Sequence, residues 1–470
     1  MTQRIAFGTS GWRGLMADDF TAVNVRRVSQ ALADHLAAQG KAGGLVLIGF
    51  DTRFLGATFA RHAAGVFLAN GFHVGVGREP VPTPAIDFAV LKEKAVAGVC
   101  FTASHNPPEY QGFKYIAAWG GIARPDETDP IADRANALTD AQVRTTTAPA
   151  EPYDFRTAYL DRLVGLVGRS SPGLRLLVNT MHGAASRYLP ELLSRLGHTV
   201  IPLNDTHDPL FGGLQPDPSA RNLAGMGARM EAGGFDLGLA TDADGDRFGV
   251  LDPTGQFMEP NEVLALLVDG LANDPQTLAG PKTVAMARVT GSIVEKVAKS
   301  KGFAVEKTPV GFKYLGKLLA DGKASFACEE SSGFAWAPHV PDKDGLLTCA
   351  LMARLVAASR QSPRAMMDTL YAKVGIRRSR RLDLKLDPAV KDMLLHRLRH
   401  QPPGDFAGEE VTYVDQTDGF MLQLGTSGWV AFRPSGTEPM VRVYLDAEDD
   451  AHLIRLTQSA HDYIATCARG

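Results

Sequence analysis

The sequence predicts an α/β protein of several domains, with short, mostly parallel strands alternating with helices, followed by a smaller C-terminal α+β domain. Three observations carry this. The chain has 470 residues, which at roughly 100–200 residues per domain makes about three or four domains. Short apolar runs alternate with longer amphipathic stretches, the pattern of strand–helix units. Beyond about residue 375 the texture changes to closely spaced short strand signals.

Strands are expected at 45–50 (LVLIGF), 95–101 (AVAGVCF), 174–179, 237–240, 283–287 and 324–327, each an apolar run of strand length. Helices are expected at 23–39, 56–70, 159–167, 262–271 and 291–301, where apolar residues recur at three-to-four spacing. The C-terminal region reads as strands at 408–414, 420–424, 429–432 and 441–445, with a final helix from about Ala451. A polar, Pro-containing stretch at 145–153, a turn-like segment at 252–260 and the segment 373–381 place domains at 1–150, 151–254, 255–373 and 374–470. GTSGW occurs at 8–12 and 425–429 in different flanks and reads as coincidence, not a repeat.

Hydrophobic residues make up 45% and charged residues 21%, enough to bury a core in each domain and too apolar for a disordered chain. Forty-nine Lys+Arg against 52 Asp+Glu leave a net charge of -3. No global field recruits nucleic acid or anionic lipid, so an anionic partner must be caught locally. Cys100, Cys328, Cys349 and Cys467 stand far apart without C-x-x-C spacing, which argues against a zinc site or disulfide framework. Cys100 reads as a packed strand residue. No stretch approaches a membrane span, and MTQRIAFGTSGWRG has neither the apolar core nor the cleavage site of a signal peptide. A reducing, cytoplasmic setting is expected.

Four loops carry residues of chemical interest. Thr102-Ala103-Ser104-His105-Asn106-Pro107-Pro108 follows an apolar strand, where ligand sites of open α/β sheets lie. His105 offers Ser104 a donor or proton relay, although an ordinary Asn-Pro turn has the same composition. In Asp242-Ala243-Asp244-Gly245-Asp246-Arg247 three carboxylates alternate, a crowding that a hard divalent ion relieves, with magnesium the default. A solvated acidic turn is the plainer alternative. An EF-hand does not fit, because Arg247 and Pro253 stand where that loop needs Gly and Glu. Cys328-Glu329-Glu330-Ser331-Ser332-Gly333 alternates carboxylate and hydroxyl groups able to bond a polyhydroxy ligand, or forms a polar turn. Upstream, GFKYLGKL nearly spells a Walker A loop, but Leu318 stands at the Ser/Thr place and the segment reads as helix. Arg433-Pro434-Ser435-Gly436-Thr437-Glu438-Pro439 has the makings of a phosphate cradle, or of a hairpin turn. Near the N-terminus, GTSGWRG with Arg13 has similar ingredients.

These loops, in this order from FGTSGWRG through TASHNPP and TDADGDRFG to RPSGTEP, resemble the α-D-phosphohexomutase family over nearly the whole chain. The resemblance implies three related mixed α/β sandwich domains plus a smaller C-terminal α+β domain around a central cleft. It implies that Ser104 carries a phosphoryl group at rest, and that Asp242, Asp244 and Asp246 hold Mg²⁺ together with a phosphoserine oxygen. It places Arg13, His105, Lys114 and Arg247 near the transferring phosphate, with Lys114 or His105 relaying a proton. Glu329, Ser331 and Lys313 match sugar-binding positions, and Arg433, Ser435, Gly436 and Thr437 match the phosphate-binding loop. The implied substrate is a hexose monophosphate, converted through glucose 1,6-bisphosphate as intermediate and activator. No oligomeric state is implied.

CEESSGF, with TPVGFKYLG before it and HVPDKDGLL after it, looks more like the phosphoglucomutases than the phosphomannomutase/phosphoglucomutases, whose loop reads GEMSGH. Gly333 stands where those enzymes carry His. The expectation is therefore interconversion of α-D-glucose 1-phosphate and glucose 6-phosphate, with mannose phosphate as an alternative. A Mg²⁺-dependent phosphatase is the rival of another class, but no D-x-D-x-[TV] setting stands near the N-terminus. An inactive sugar-phosphate-binding relative would not need every chemical element that is present. Closure of the C-terminal domain over the cleft is expected to shield a phosphoserine from water.

Overall fold

A computed structural model describes residues 4–434 and 440–468. Three of its sheets share one plan. In the first, Leu45–Phe50 lies between two parallel neighbours, His73–Gly77 and Ala97–Phe101, and Tyr110–Ala117 runs antiparallel beside the latter. The second repeats this with Arg175–Asn179 between Thr199–Leu203 and Leu237–Thr241, then antiparallel Phe248–Leu251. The third has Thr283–Ala287 between Ala304–Thr308 and Phe326–Glu329, then antiparallel Gly333–Trp336. The first sheet is extended by Trp12–Leu15 on one edge and Glu151–Tyr153 on the other.

The pairing is mostly parallel, as expected, and turns antiparallel toward one edge of each sheet. Parallel pairing needs a crossover of a dozen or more residues. The connections 102–109, 242–247 and 330–332 are too short for one, so the chain turns back on itself at all three. The interior strands are buried along their length, as the unbroken apolar runs require: every residue of Ala97–Phe101 and Leu237–Thr241 is buried.

Helices cover the sheets and begin at identifiable caps. Thr21 Oγ1 accepts from Asn24 N (3.2 Å) ahead of Ala22–Ala38, and Asp344 accepts from Leu347 N (2.8 Å) ahead of Gly345–Ser359. The helix Gly345–Ser359 packs on the second sheet although it follows the third in sequence. One apolar core therefore runs from Leu47 through Leu239 to Tyr371.

The fourth unit is an antiparallel sheet in the order Arg378–Lys385, Met440–Ala447, Gly428–Pro434, Phe420–Leu424 and Tyr413–Asp415. Pro388–His400 and Asp450–Ala468 close its own core. Its other face sets Trp429, Ala431 and Tyr444 against Val289 of the third unit. The strand expected at 408–414 is two pieces: Glu409–Glu410 pairs with Asp405–Phe406, and Tyr413–Asp415 joins the main sheet. The break comes where Val411 N bonds Gly404 O and Thr412 N bonds Gln423 O, passing the chain from one partner to the other. Among the described residues, no helix is long and apolar enough to cross a membrane.

Candidate active site

The shared plan puts three connections at the same place, the carboxyl end of the third strand of each sheet. These are the Ser104, Asp242–Asp246 and Glu330–Ser332 loops. Ser104 is buried and has φ 51°, a left-handed conformation that costs a serine about 1–3 kcal/mol unless its surroundings hold it. Arg53 does the holding. Its fully buried guanidinium donates to the carbonyls of Ser104 (2.5 Å), Asn106 (2.5 Å), Pro107 (2.6 Å) and Tyr110 (3.1 Å), and pairs with Asp51 at 3.2 Å. Asp51 accepts from Thr102 Oγ1 (2.6 Å), which in turn accepts from Ser104 N (2.8 Å). Burial lifts the Asp51 carboxyl to about 6, against the pull of Arg53.

Ser104 Oγ donates to Asp242 Oδ2 at 2.8 Å, joining the first and second loops. Asp242, Asp244 and Asp246 are all buried, and one oxygen from each lies within 4.8 Å of the others. Asp242 Oδ1 accepts from the backbone N–H of Asp246 (3.0 Å) and Arg247 (3.1 Å), which shapes the loop around it. Thr83, the first residue of the helix Thr83–Glu93, holds Asp244 twice, through Oγ1 to Oδ2 (2.6 Å) and through N to the carbonyl (2.9 Å). Lys114 Nζ bonds Asp244 (2.5 Å) and Asp246 (2.7 Å), and Lys343 reaches Asp246 at 3.1 Å. Burial and the neighbouring carboxylates push the Asp242 carboxyl well up. For Asp244, burial works the same way, but Lys114 outweighs it and holds the group below the usual carboxylate range. Lys114 likewise resists its burial through Asp244 and Asp246, which keep the ammonium charged.

Asp244 Oδ1 and Asp246 Oδ1 are buried with no hydrogen-bond partner among the described residues. Two orphaned carboxylate oxygens in an all-oxygen donor set fit a hard divalent cation such as Mg²⁺.

His105 Nδ1 lies 3.4 Å from Ser104 Oγ. Burial, reinforced by Arg247 and Arg13, pushes its pKa well down, so the ring is neutral. Arg13 donates to Asn106 Oδ1 (2.5 Å), and burial lowers its guanidinium to about 10. Arg247 pairs with Asp217 at 3.3 Å, and Gln215 Nε2 donates to the His105 carbonyl at 2.9 Å. Through these contacts a long segment of the second unit leans on the serine loop.

In the third loop, Glu329 Oε1 accepts from Gly311 N and Oε2 accepts from Ser331 Oγ, each at 2.9 Å. Lys313 Nζ lies 3.5 Å from the Gly8 carbonyl, bringing the N-terminal GTSGWRG segment against the third unit. Glu330 Oε2 is buried and unpartnered among the described residues, and burial beside Glu329 lifts this carboxyl to about 7. From the fourth unit, Arg433 pairs with Asp418 at 3.0 Å. Ser435, Gly436 and Thr437 lie outside the described residues.

Arg53, Thr83 and Lys343 contact the first two loops without having been singled out from the sequence, and Glu330 was named there only as part of its loop. The signal for Arg53 was its place directly after the strand LVLIGF, and for Lys343 its place in HVPDKDGLL, a segment that otherwise bears on substrate preference.

Comparison with known proteins finds one family along most of the chain. Models of phosphoglucomutase/phosphomannomutase α/β/α domains I, II and III match residues 4–142, 157–255 and 259–374, and the C-terminal domain matches 409–460. A phosphoglucomutase of Komagataeibacter xylinus is 30% identical over 99% of this chain and 91% of that protein. A phosphoglucomutase/phosphomannomutase of Thermococcus kodakarensis is 27% identical over 94% and 95%. A crystal structure from Thermus thermophilus superimposes with a TM-score of 0.85 at 31% identity, covering 99% of this chain and 100% of that one.

Proposed function

The chain belongs to the phosphoglucomutase/phosphomannomutase family of α-D-phosphohexomutases, and on that premise we propose that it interconverts α-D-glucose 1-phosphate and glucose 6-phosphate through a phosphorylated Ser104. Phosphohexomutase activity comes with the family. The observation that carries the finer reading is the hydrogen bond from Ser104 Oγ to Asp242, which sets a buried hydroxyl against a carboxylate triad with two free oxygens.

In this reading the free hydroxyl of a hexose monophosphate attacks the phosphorus on Ser104. The bond from phosphorus to Ser104 Oγ breaks as the bond to the sugar oxygen forms, giving glucose 1,6-bisphosphate. The hydroxyl proton leaves the sugar, and Ser104 Oγ takes up a proton. Neutral His105, within 3.4 Å of Oγ, is suited to carry it. Lys114, held charged by two aspartates, serves better as a cation than as a base. Together with Arg13 and Arg247 it offsets charge on the equatorial phosphoryl oxygens, each such group being worth roughly 10²–10³ in rate. A Mg²⁺ held by Asp242, Asp244 and Asp246 supplies further neutralisation of that charge when bound. The bisphosphate then reorients and returns its other phosphate to Ser104, while Arg433 and the 435–437 loop hold the phosphate that does not react.

Glu329, Ser331 and Lys313 are assigned to the sugar hydroxyls. The packing at Gly333 supports glucose over the GEMSGH pattern. A Cβ there would stand 3.1 Å from the Phe312 ring and 3.3 Å from Lys343, so any side chain would require both to give slightly.

The test is parallel turnover of glucose 1-phosphate, mannose 1-phosphate and glucosamine 1-phosphate with Mg²⁺ and a trace of glucose 1,6-bisphosphate, following isomer and free phosphate. Preference for glucose without phosphate release is expected. Equal use of mannose would make the enzyme dual-specific, and preference for glucosamine would overturn the sugar assignment.

A further inference from the structure

A cavity of about 530 Å³ lies where the first sheet meets the second unit. It lies at the carboxyl end of the strand His73–Gly77, which pairs in parallel with Glu151–Tyr153, and Tyr188 of the second unit closes it. No residue assigned above to catalysis, metal or sugar lines it. Carboxyl ends of parallel strands and junctions between domains are where α/β proteins place ligand sites, in cavities of roughly 300–1,000 Å³.

Its charged groups are unevenly committed. Glu79 accepts from Arg187 at 2.6 Å and pairs with Arg156 at 3.6 Å. Asp154 caps the helix Thr157–Val167, accepting from Thr157 Oγ1 (2.6 Å) and from the backbone N–H of Arg156 (2.9 Å) and Thr157 (3.2 Å). Both acids are thus occupied. Arg78 is exposed to the cavity and has no partner among the described residues. Tyr188 is 1% exposed, yet its hydroxyl makes no hydrogen bond to them either. Burial beside Glu79 raises the phenol's pKa, so it stays a donor.

The cavity therefore offers two free donors, one of them cationic, and no free acidic acceptor among the described residues. The remaining walls include the rings of Tyr153 and Phe155 beside Val81 and Pro152. The Tyr153 and Phe155 rings stand 4.7 Å apart edge to face, and Tyr153 spends its hydroxyl on Glu93 (2.9 Å), so it presents only its ring. The volume is far larger than a bare oxyanion needs, given that a water's share of liquid volume is about 30 Å³.

We propose that this cavity is a second binding site, for a small ring-bearing anion whose phosphate or carboxylate sits on Arg78 and Tyr188 and whose ring lies against Tyr153 and Phe155. A guanidinium fork and a phenol suit a planar or tetrahedral oxyanion, and aromatic faces suit a flat ring.

Titration calorimetry on the full chain with Mg²⁺, using AMP, 4-hydroxybenzoate and inorganic phosphate as probes, tests it. At least one ring anion should bind once per chain with Kd below about 1 mM, and inorganic phosphate at least tenfold more weakly. Arg78→Gln and Tyr188→Phe should each weaken that binding about tenfold. Both variants should keep unfolding temperature and mutase turnover unchanged, because neither group has a partner to lose. Binding should persist when glucose 1,6-bisphosphate saturates the catalytic cleft. AMP against 4-hydroxybenzoate tells a phosphate head from a carboxylate. The proposal fails if neither ring anion binds, if inorganic phosphate binds as tightly, if the bisphosphate competes, or if both substitutions leave affinity unchanged.

Discussion

Ser104 illustrates how much a single side chain depends on another. Its left-handed backbone and its reach to Asp242 are held by Arg53, which touches four carbonyls of the loop and none of the reacting groups. Arg53 is a positioning residue, and the two roles separate by mutation. Ser104→Ala should take up no label from ³²P-labelled glucose 1,6-bisphosphate and lose more than about 10³-fold in turnover. Arg53→Lys keeps a charge beside Asp51 but loses the planar fork that meets several carbonyls at once. It should still take up label, with kcat down on the order of 10²-fold and KM nearly unchanged. Arg53→Met, which strands Asp51 as an unpaired buried carboxylate, should cost about 3–5 kcal/mol in urea unfolding. Normal kcat in Arg53→Lys would reduce Arg53 to a purely structural ion pair.

At the scale of elements, the serine loop, the aspartate loop and the loop 330–332 occupy equivalent places in three copies of one strand plan. The strands at 45–50, 283–287 and 420–424 were legible residue for residue, because unbroken apolar runs bounded by turn residues leave little choice. The loops were legible as chemistry, through serine beside histidine and alternating aspartates. Their equivalence was not, since SHN, DADGD and EESS share a position and no common motif. Arg53 stayed hidden for a related reason: its partners are carbonyls more than fifty positions along the chain, and carbonyls leave no mark on a sequence. The helix Gly345–Ser359 shows the same limit. Its first residue packs on the metal loop, with Gly345 N bonded to Gly245 O (3.1 Å), and a Cβ on Gly345 would stand 2.2 Å from the Arg247 carbonyl. Backbone cannot yield as a side-chain tip can, so Gly345→Ala must move the loop or the helix. The expected result is a loss of about 2 kcal/mol or more, together with loss of the stabilisation that saturating Mg²⁺ gives the parent enzyme, about 2.7 kcal/mol at a hundredfold excess over Kd. An unchanged response to Mg²⁺ would show that this contact does not shape the triad.

Across the whole molecule, a net charge of -3 conceals a cleft where Arg13, Arg247 and Lys114 from two units act together on His105, next to Ser104. A phosphorylated substrate is attracted locally, with no need of a basic surface. The fourth unit, which brings Arg433, is fastened to the third by Asp446. This carboxylate, 1% exposed, accepts from Ser292 N (2.7 Å) and Ser292 Oγ (2.5 Å) at the start of the helix Ser292–Ser300. Burial lifts it from 3.8 to about 6, and the Ser292 bonds only partly offset that. The sign follows from linkage. Between about pH 4 and 6 the folded chain holds a proton here that the unfolded chain has released, so this group's contribution to stability is full below pH 4 and falls as pH rises to 6. A rise of that size corresponds to about 3 kcal/mol. Asp446→Asn stays neutral and removes this dependence, while Asp51, which is raised in the same direction, acts equally in both proteins and cancels. Urea unfolding followed through Trp429 fluorescence should therefore show wild type losing stability relative to Asp446→Asn, by up to about 3 kcal/mol from pH 4 to 6, with a constant difference above pH 7. A difference that grows in the opposite direction would mean that the Ser292 bonds outweigh burial and that ionised Asp446 is what fastens the fourth unit to the third.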